Sequence, residues 1–263
     1  MPRATVRMAR PQLSSLVVPT PQEAPAVTSR ALALRTTDEL ANFGNSEFPP
    51  RSVLPDLTDP RLVLVHDPDS ARATAFRVLR DNLVAKGLPR VVAVSSGERG
   101  DGKTICAVNL ALALTEHGAT RRVLLLDGNL SAPALAEIFE VGAHPPSSVF
   151  VDFDAFQPYE VIGVSPRLHV CAPATHPGEP LPKFDTRLVG ALIARLCRAG
   201  YDNIIVDAPA IEVGSSLTVR QLLDCVDGVV LVVRAGRTTG RSLRRAAGNI
   251  PKGKALGFTL VEA

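Results

Sequence analysis

The chain has 263 residues, 46% of them apolar but only 4% aromatic, with no tryptophan, so one large core built from Val, Leu, Ile and Ala is within reach. A formal net charge of +3 is too small to predict nucleic-acid binding, and four cysteines far apart in sequence (Cys106, Cys171, Cys197 and Cys225) point away from a disulfide framework or a zinc site and toward a reducing cytosol. No apolar run reaches the ~18–20 residues of a membrane span, and Arg3, Arg7 and Arg10 are followed by Pro and polar residues rather than a secretory signal; a cytoplasmic protein without direct membrane insertion is expected.

Residues 1–60 hold nine of the 22 prolines and little sustained periodicity. Proline removes backbone donors and biases its predecessor away from helix, so this segment is predicted to be a disordered arm, with one short helix at "TTDELANFG". Residues 61–263 are predicted to form the folded domain. Its regular pattern begins at Asp67: in "SARATAFRVLRDNLVAKG", Ala73, Phe76, Leu79 and Leu83 fall at helical spacing, and Gly87 is a stop signal.

Apolar runs bounded by turn residues follow: "RVVAVSS", "RRVLLLDG", "RLHVCAP", "DNIIVDAP", "DGVVLVVRAG" and "KALGFTLVEA". Helical segments are predicted between most of them, at 103–117, 132–140, 184–200, 216–225 and 238–249. Continuous apolar strands alternating with helices imply an α/β fold, a mostly parallel central sheet with helices on both faces. The stretch 141–166, which carries Pro145, Pro146, Pro158 and Pro166, reads as an irregular connection.

Ligands of open α/β sheets bind beyond the carboxyl ends of the strands, and three such ends carry chemistry here. The first is "SSGERGDGKT", which contains Gly97-(x)4-Gly102-Lys103-Thr104, the phosphate-loop pattern. Its glycines let backbone N–H groups turn toward phosphates at a helix N-terminus. The expected nucleotide-binding set is Gly97, Gly100, Asp101, Gly102, Lys103, Thr104 and Ile105. Lys103 would reach the β/γ-phosphates of ATP and Thr104 would hold Mg²⁺. The Asp101 side chain is expected to face solvent, because a carboxylate would repel a triphosphate.

The second and third ends carry Asp127 after "VLLL" and Asp207 after "NIIV". A carboxylate at either place can hold Mg²⁺ or orient a nucleophile; it can equally cap a loop. Arg237, Arg241, Arg244 and Arg245 read as a solvated helix face, and the five dispersed histidines as structural or exposed.

These residues resemble the bacterial tyrosine kinases (BY-kinases, CpsD/CapB-like) of exopolysaccharide and capsule assembly, within the MinD/ParA class of P-loop ATPases. The resemblance runs from about residue 68 to 261. "TAFRVLRDNL" is similar to that family's "EAFRTLRTNL", "YDNIIVDAPAI" to "YDYIIIDTPPV", and "DGVVLVVRAGRTTGRSLRRA" to "ADGVLLVVRAGKTSREALRRA". By position it implies Asp127 as the Walker A′ acid and Asp207 as the Walker B acid, with Lys103, Asp127 and Asp207 catalytic and Thr104, Asp127 and Asp207 on the metal. Glu98 stands where MinD/ParA proteins carry a signature lysine, as in the kinase branch.

Four positions depart from the kinase pattern. "DGNLS" puts Asn129 and Ser131 where the second acid and the Arg of "DxDxR" stand. Thr74 replaces the Glu of an oligomerisation helix whose Arg77 and Arg80 remain. Val261 replaces an Asn that meets the nucleotide base. The only tyrosines are Tyr159 and Tyr201, so no tyrosine cluster forms a C-terminal tail. The resemblance implies transfer of the ATP γ-phosphate to protein tyrosine, with Mg²⁺, beside a membrane polysaccharide co-polymerase or chain-length regulator. It leaves a homo-oligomer open, and peripheral attachment to the inner membrane through that partner. The departures keep two alternatives in view, a weakly catalytic regulatory nucleotide module and a MinD/ParA-type positioning ATPase.

Overall fold

The computed structural model describes residues 57–118, 120–129, 131–139, 159–173, 186–212 and 217–262. The expected proline-rich arm and the helix at 36–44 lie outside these residues, apart from 57–60, where Leu57 already packs on the core.

Seven strands form one sheet: β1 (Val91–Ser96), β2 (Val123–Asp127), β3 (Tyr159–Ser165), β4 (Leu168–Pro173), β5 (Asn203–Asp207), β6 (Gly228–Arg234) and β7 (Ala255–Val261), in the order β3-β4-β2-β5-β1-β6-β7. All pairings are parallel except β3 with β4. Every residue of β1, β2, β4 and β5 is buried, which explains why their sequences are continuous apolar runs rather than alternating ones.

Alternate residues feed two cores. Val92, Val94, Leu125, Ile205 and Val230 face one side. That side is covered by α1 (Val63–His66), α2 (Ala71–Ala85), α3 (Lys103–Glu116) and α4 (Leu135–Ile138). Ala93, Leu124, Leu126, Ile204 and Leu231 face the other, beneath α5 (Thr186–Arg198), α6 (Leu217–Asp224) and α7 (Gly240–Asn249). Helix α3 is buried from Cys106 to Thr115, so it is the central helix of its layer. Asn109, fully buried in this helix, accepts from Leu64 N–H at 3.2 Å and donates to the Arg61 carbonyl at 2.7 Å, tying α1 to the core.

Two expectations need correction. The stretch 141–166 is not irregular throughout, because Tyr159–Ser165 forms the antiparallel edge strand β3. Pro158 and Pro166 lie just outside its ends, where proline deprives the ladder of no donor. Ser165 Oγ accepts from the N–H groups of Arg167 and Leu168 and closes the turn into β4. Order also begins before Asp67, with Leu62, Val63 and Leu64 buried around α1.

Arg77 and Arg80, the remaining arginines of the oligomerisation pattern, both bond Glu116 at the end of α3, Arg77 through two nitrogens at 2.8 Å each. The four cysteines are unpaired.

Leu125 is fully buried at the sheet centre. Leu125→Ala is expected to lower stability by ~2–5 kcal/mol, seen as a lower urea midpoint at unchanged slope.

Candidate nucleotide site

The three chemistry-bearing strand ends meet because of the strand order. β5 lies between β1 and β2, and the parallel register makes Asp127 and Asp207 direct neighbours, with Val94 of β1 opposite Asp207 on its other side. The loop after β1 therefore rises beside both carboxylates. Gly128 N–H donates to the Asp207 carbonyl at 2.9 Å, locking the ends of β2 and β5 together. A methyl group on Gly128 would come within 2.8 Å of Val206 Cγ1, so the close approach requires glycine.

In the loop, Gly100 and Gly102 take φ values of +79° and +93°, which side chains other than hydrogen rarely tolerate. From Gly100 through Ile105, no backbone N–H is given to a protein acceptor among the described residues. A run of unsatisfied donors at the start of α3 is an anion cradle. Lys103 is 9% exposed, at the first residue of that helix.

The side chain of Asp101 corrects an expectation. It is fully buried rather than solvent-facing, and its Oδ2 accepts from the Glu98 N–H at 3.1 Å. Oδ2 thus ties the carboxylate back to the loop, Oδ1 is buried without a partner among the described residues, and the Asp101 N–H stays in the run of free donors.

Thr104 Oγ1 donates to Asp207 Oδ2 at 2.7 Å, and Asp207 Oδ1, also buried, has no partner among the described residues. Asp127 is held by three backbone donors: Asn129 N–H at 3.1 Å, Ala134 N–H at 2.9 Å and Leu135 N–H at 3.1 Å. The loop-capping reading of an aspartate at a strand end thus applies to Asp127. A carboxylate has about four acceptor sites, so one remains. Tyr159 Oη donates to the Asp127 carbonyl at 3.2 Å.

Burial pushes both acids above the ordinary carboxylate range. Asp207 rises to about 7, through burial first and the neighbouring Asp127 charge second, with Thr104 and Lys103 pulling it down. Asp127 is also raised by burial, against the pull of its backbone donors and Lys103.

Asn129, in the place of a second acid, is consumed by its own loop. Its N–H serves Asp127, its Nδ2 donates to the Ala132 carbonyl at 3.0 Å, and its Oδ1 accepts from Ser131 Oγ at 3.1 Å. Val261 lies close to Gly102, within 3.8 Å of where a methyl group there would stand.

The arginines expected on a solvated face divide. Arg237, Arg241 and Arg244 are exposed and Arg245 is half-buried; Arg237 and Arg245 also donate to loop carbonyls, of Arg99 at 3.0 Å and Gly97 at 3.3 Å. Sequence reasoning missed these two, along with Arg234 and Ser242, which bond the carbonyls of Gly100 and Gly97, both at 3.1 Å. Only their place after β6, beside β1, could have signalled it.

The donor set fits a Mg²⁺-nucleotide. The free N–H run and Lys103 suit phosphate; Thr104 Oγ1 and the unpartnered Asp207 oxygen suit a hard cation. Among the described residues no group of three His, Cys, Asp or Glu could hold a metal by itself, as expected where Mg²⁺ takes one or two protein ligands and completes its shell with phosphate and water.

Fold and site together define an α/β domain with a mostly parallel sheet and a phosphate-loop sequence between its first strand and its central helix. No family model matches the chain. It is 26% identical over 192 residues to the tyrosine-protein kinase YwqD of Bacillus subtilis (strain 168), covering 70% of this chain and 78% of that protein. It is 26% identical over 213 residues to the succinoglycan biosynthesis transport protein ExoP of Rhizobium meliloti (strain 1021), covering 78% of this chain but only 26% of ExoP. The solved structure of the chimerical protein CapA2B2 shares the fold, with a TM-score of 0.60 at 20% identity over 79% of this chain and 92% of that one. At these identities the chain is similar to a bacterial tyrosine kinase and to part of an exopolysaccharide transport protein.

Linkage gives a test of the acid pair in metal-free protein. Asp207 has an ordinary carboxylate pKa of 3.8 when unfolded and about 7 when folded. Its contribution to stability is therefore full below the unfolded value and is lost as pH rises through about 7. Asp207→Asn is expected to raise the metal-free melting temperature at pH 8 by about 3 °C or more, and the gain should shrink toward pH 5, as read by calorimetry in chelator.

Proposed function

We infer that the chain binds Mg²⁺-ATP and transfers its γ-phosphate to tyrosine on another protein. The observation that supports this most is the continuous run of free N–H groups from Gly100 to Ile105, opening beside the Thr104–Asp207 pair. Lys103 and these amides would hold the phosphates. Thr104 and Asp207 would hold Mg²⁺, which, when bound, neutralises charge on the phosphate oxygens. Asp127, raised by burial, has one acceptor site left with which to take the proton of an incoming hydroxyl. Catalysis by such a site rests on positioning and charge stabilisation.

The chain's own tyrosines do not suit the acceptor role. Tyr159 is buried with its hydroxyl on the Asp127 carbonyl, and Tyr201 is buried with its hydroxyl 2.7 Å from His169 Nδ1. This reading therefore calls for an acceptor tyrosine other than Tyr159 or Tyr201, such as one on another polypeptide. ExoP is by its name a succinoglycan biosynthesis transport protein, which supports work alongside exopolysaccharide or capsule export, beside a membrane co-polymerase in the cytoplasm. Among the described residues no helix is long and apolar enough to cross a membrane.

A second reading, a regulatory nucleotide module with weak or no transfer, is favoured by Asn129. Its amide is spent on its own loop and brings no charge to the site.

With Mg²⁺-ATP and a tyrosine-containing copolymer, phosphotyrosine should form on the copolymer and not on the chain itself. Lys103→Met should reduce it by about 100-fold or more. Nucleotide binding without transfer, with the co-polymerase present or absent, would rule out the kinase and leave the regulatory module.

Asn129→Asp should raise transfer by roughly tenfold if the second acid is what the site lacks. An unchanged rate, measured as initial velocity at saturating ATP, would show that the loop rather than the charge is limiting.

A further inference from the structure

Three carbonyls of the phosphate loop are met by side chains from the stretch that runs from the end of β6 into α7. The Gly97 carbonyl accepts from Ser242 Oγ at 3.1 Å and Arg245 Nη2 at 3.3 Å. The Arg99 carbonyl accepts from Arg237 Nη2 at 3.0 Å, and the Gly100 carbonyl from Arg234 Nη1 at 3.1 Å.

The other end of each peptide unit separates their roles. The unit carrying the Gly97 carbonyl has the Glu98 N–H, which goes to Asp101 Oδ2 at 3.1 Å, so it is anchored at both ends. The unit carrying the Arg99 carbonyl has the Gly100 N–H, and the one carrying the Gly100 carbonyl has the Asp101 N–H. Neither of these N–H groups has a protein acceptor among the described residues. Two successive peptides thus have an arginine on the carbonyl and a free donor aimed the other way.

Glycine at 100, with φ +79°, leaves these units free to rotate, because it resists few backbone conformations. A cation on each carbonyl opposes the rotation. It also polarises the amide, since hydrogen bonds in series strengthen one another and charged donors bind more strongly than neutral ones.

The arginines are themselves placed by a tight turn. Thr238 N–H donates to the Arg234 carbonyl at 2.9 Å while Thr238 Oγ1 accepts from the Arg234 N–H at 2.8 Å. Gly236, at φ +72°, lets the chain reverse between the two arginines.

We propose that Arg234 and Arg237 are positioning residues of the phosphate loop, holding the 99–100 and 100–101 peptide units with their N–H groups toward bound phosphate and sharpening those donors by charge. The inference rests on the nucleotide reading above and adds the segment 234–238 to its machinery.

The test compares ATP affinity, by titration calorimetry with Mg²⁺, for wild type, Arg234→Gln, Arg237→Gln, the corresponding lysine variants, and Arg241→Gln as a control from the exposed part of α7. Each glutamine variant should bind ATP about fivefold more weakly, with the ligand-free melting temperature unchanged. Lysine, which keeps the charge, should restore much of the loss, and the control should bind as wild type does. Glutamine variants that bind as tightly as wild type would overturn the proposal. So would weaker binding that follows a lowered melting temperature and is not rescued by lysine, since that describes a structural strut. If wild type itself binds no ATP, the nucleotide reading fails first, and the positioning role falls with it.

Discussion

Two carboxylates and one lysine share a buried site at the carboxyl ends of β2, β5 and β1, and the surrounding structure is arranged around the cost of keeping them there. Isolated charges in such a place would neutralise or recruit water. Asp127 accepts from the N–H groups of Asn129, Ala134 and Leu135, and one oxygen of Asp207 accepts from the hydroxyl of Thr104. Lys103 lowers both against the burial that raises them. Parallel register makes the two acids neighbours across one strand pair, a like-charge arrangement that a bound cation would relieve.

The phosphate loop has an inner and an outer side, and each is built from a different part of the chain. The inner side is local: a short glycine-bearing turn into α3 exposes consecutive amides. The outer side is non-local. Arg234, Arg237, Ser242 and Arg245, from well over a hundred residues downstream, close on its carbonyls because β6 pairs with β1. The peptides that face phosphate are thereby oriented from behind before any ligand arrives, as preorganised electrostatic stabilisation requires.

The second loop departs from the kinase pattern that the sequence resembles. Asn129 fills an acid's place with an amide whose oxygen and nitrogen both brace the turn between β2 and α4. That turn also supplies the donors that hold Asp127, so the substitution trades a charge at the site for rigidity in the loop beneath it. Under the proposed function, the trade would leave the phosphate and metal groups as they are and pass proton acceptance from an incoming hydroxyl to Asp127.

Strand runs, central helices, the phosphate loop and both acids were legible in the sequence, because each is written in a local pattern: continuous apolar residues for strands buried on both faces, glycine spacing for a loop that must bare its amides, and an Asp at the end of an apolar run. The strand β3 was not, because Pro158 and Pro166 at its borders signal a loop and antiparallel pairing on a sheet edge needs no long apolar run. The inward turn of Asp101 was hidden as well, since a residue's own loop can bury it whatever its charge suggests. Arg245 read as solvated because periodicity reports only which face of a helix a residue occupies. What lies against that face is set by strand order, and strand order is a property of the closed sheet. The sequence by itself determined a glycine-spaced turn at Gly97–Thr104 leading into a helix and two acids at strand ends; only the tertiary structure decided which acid keeps a free oxygen and which arginines stand behind the loop, because both depend on residues brought together across the sheet rather than along the chain.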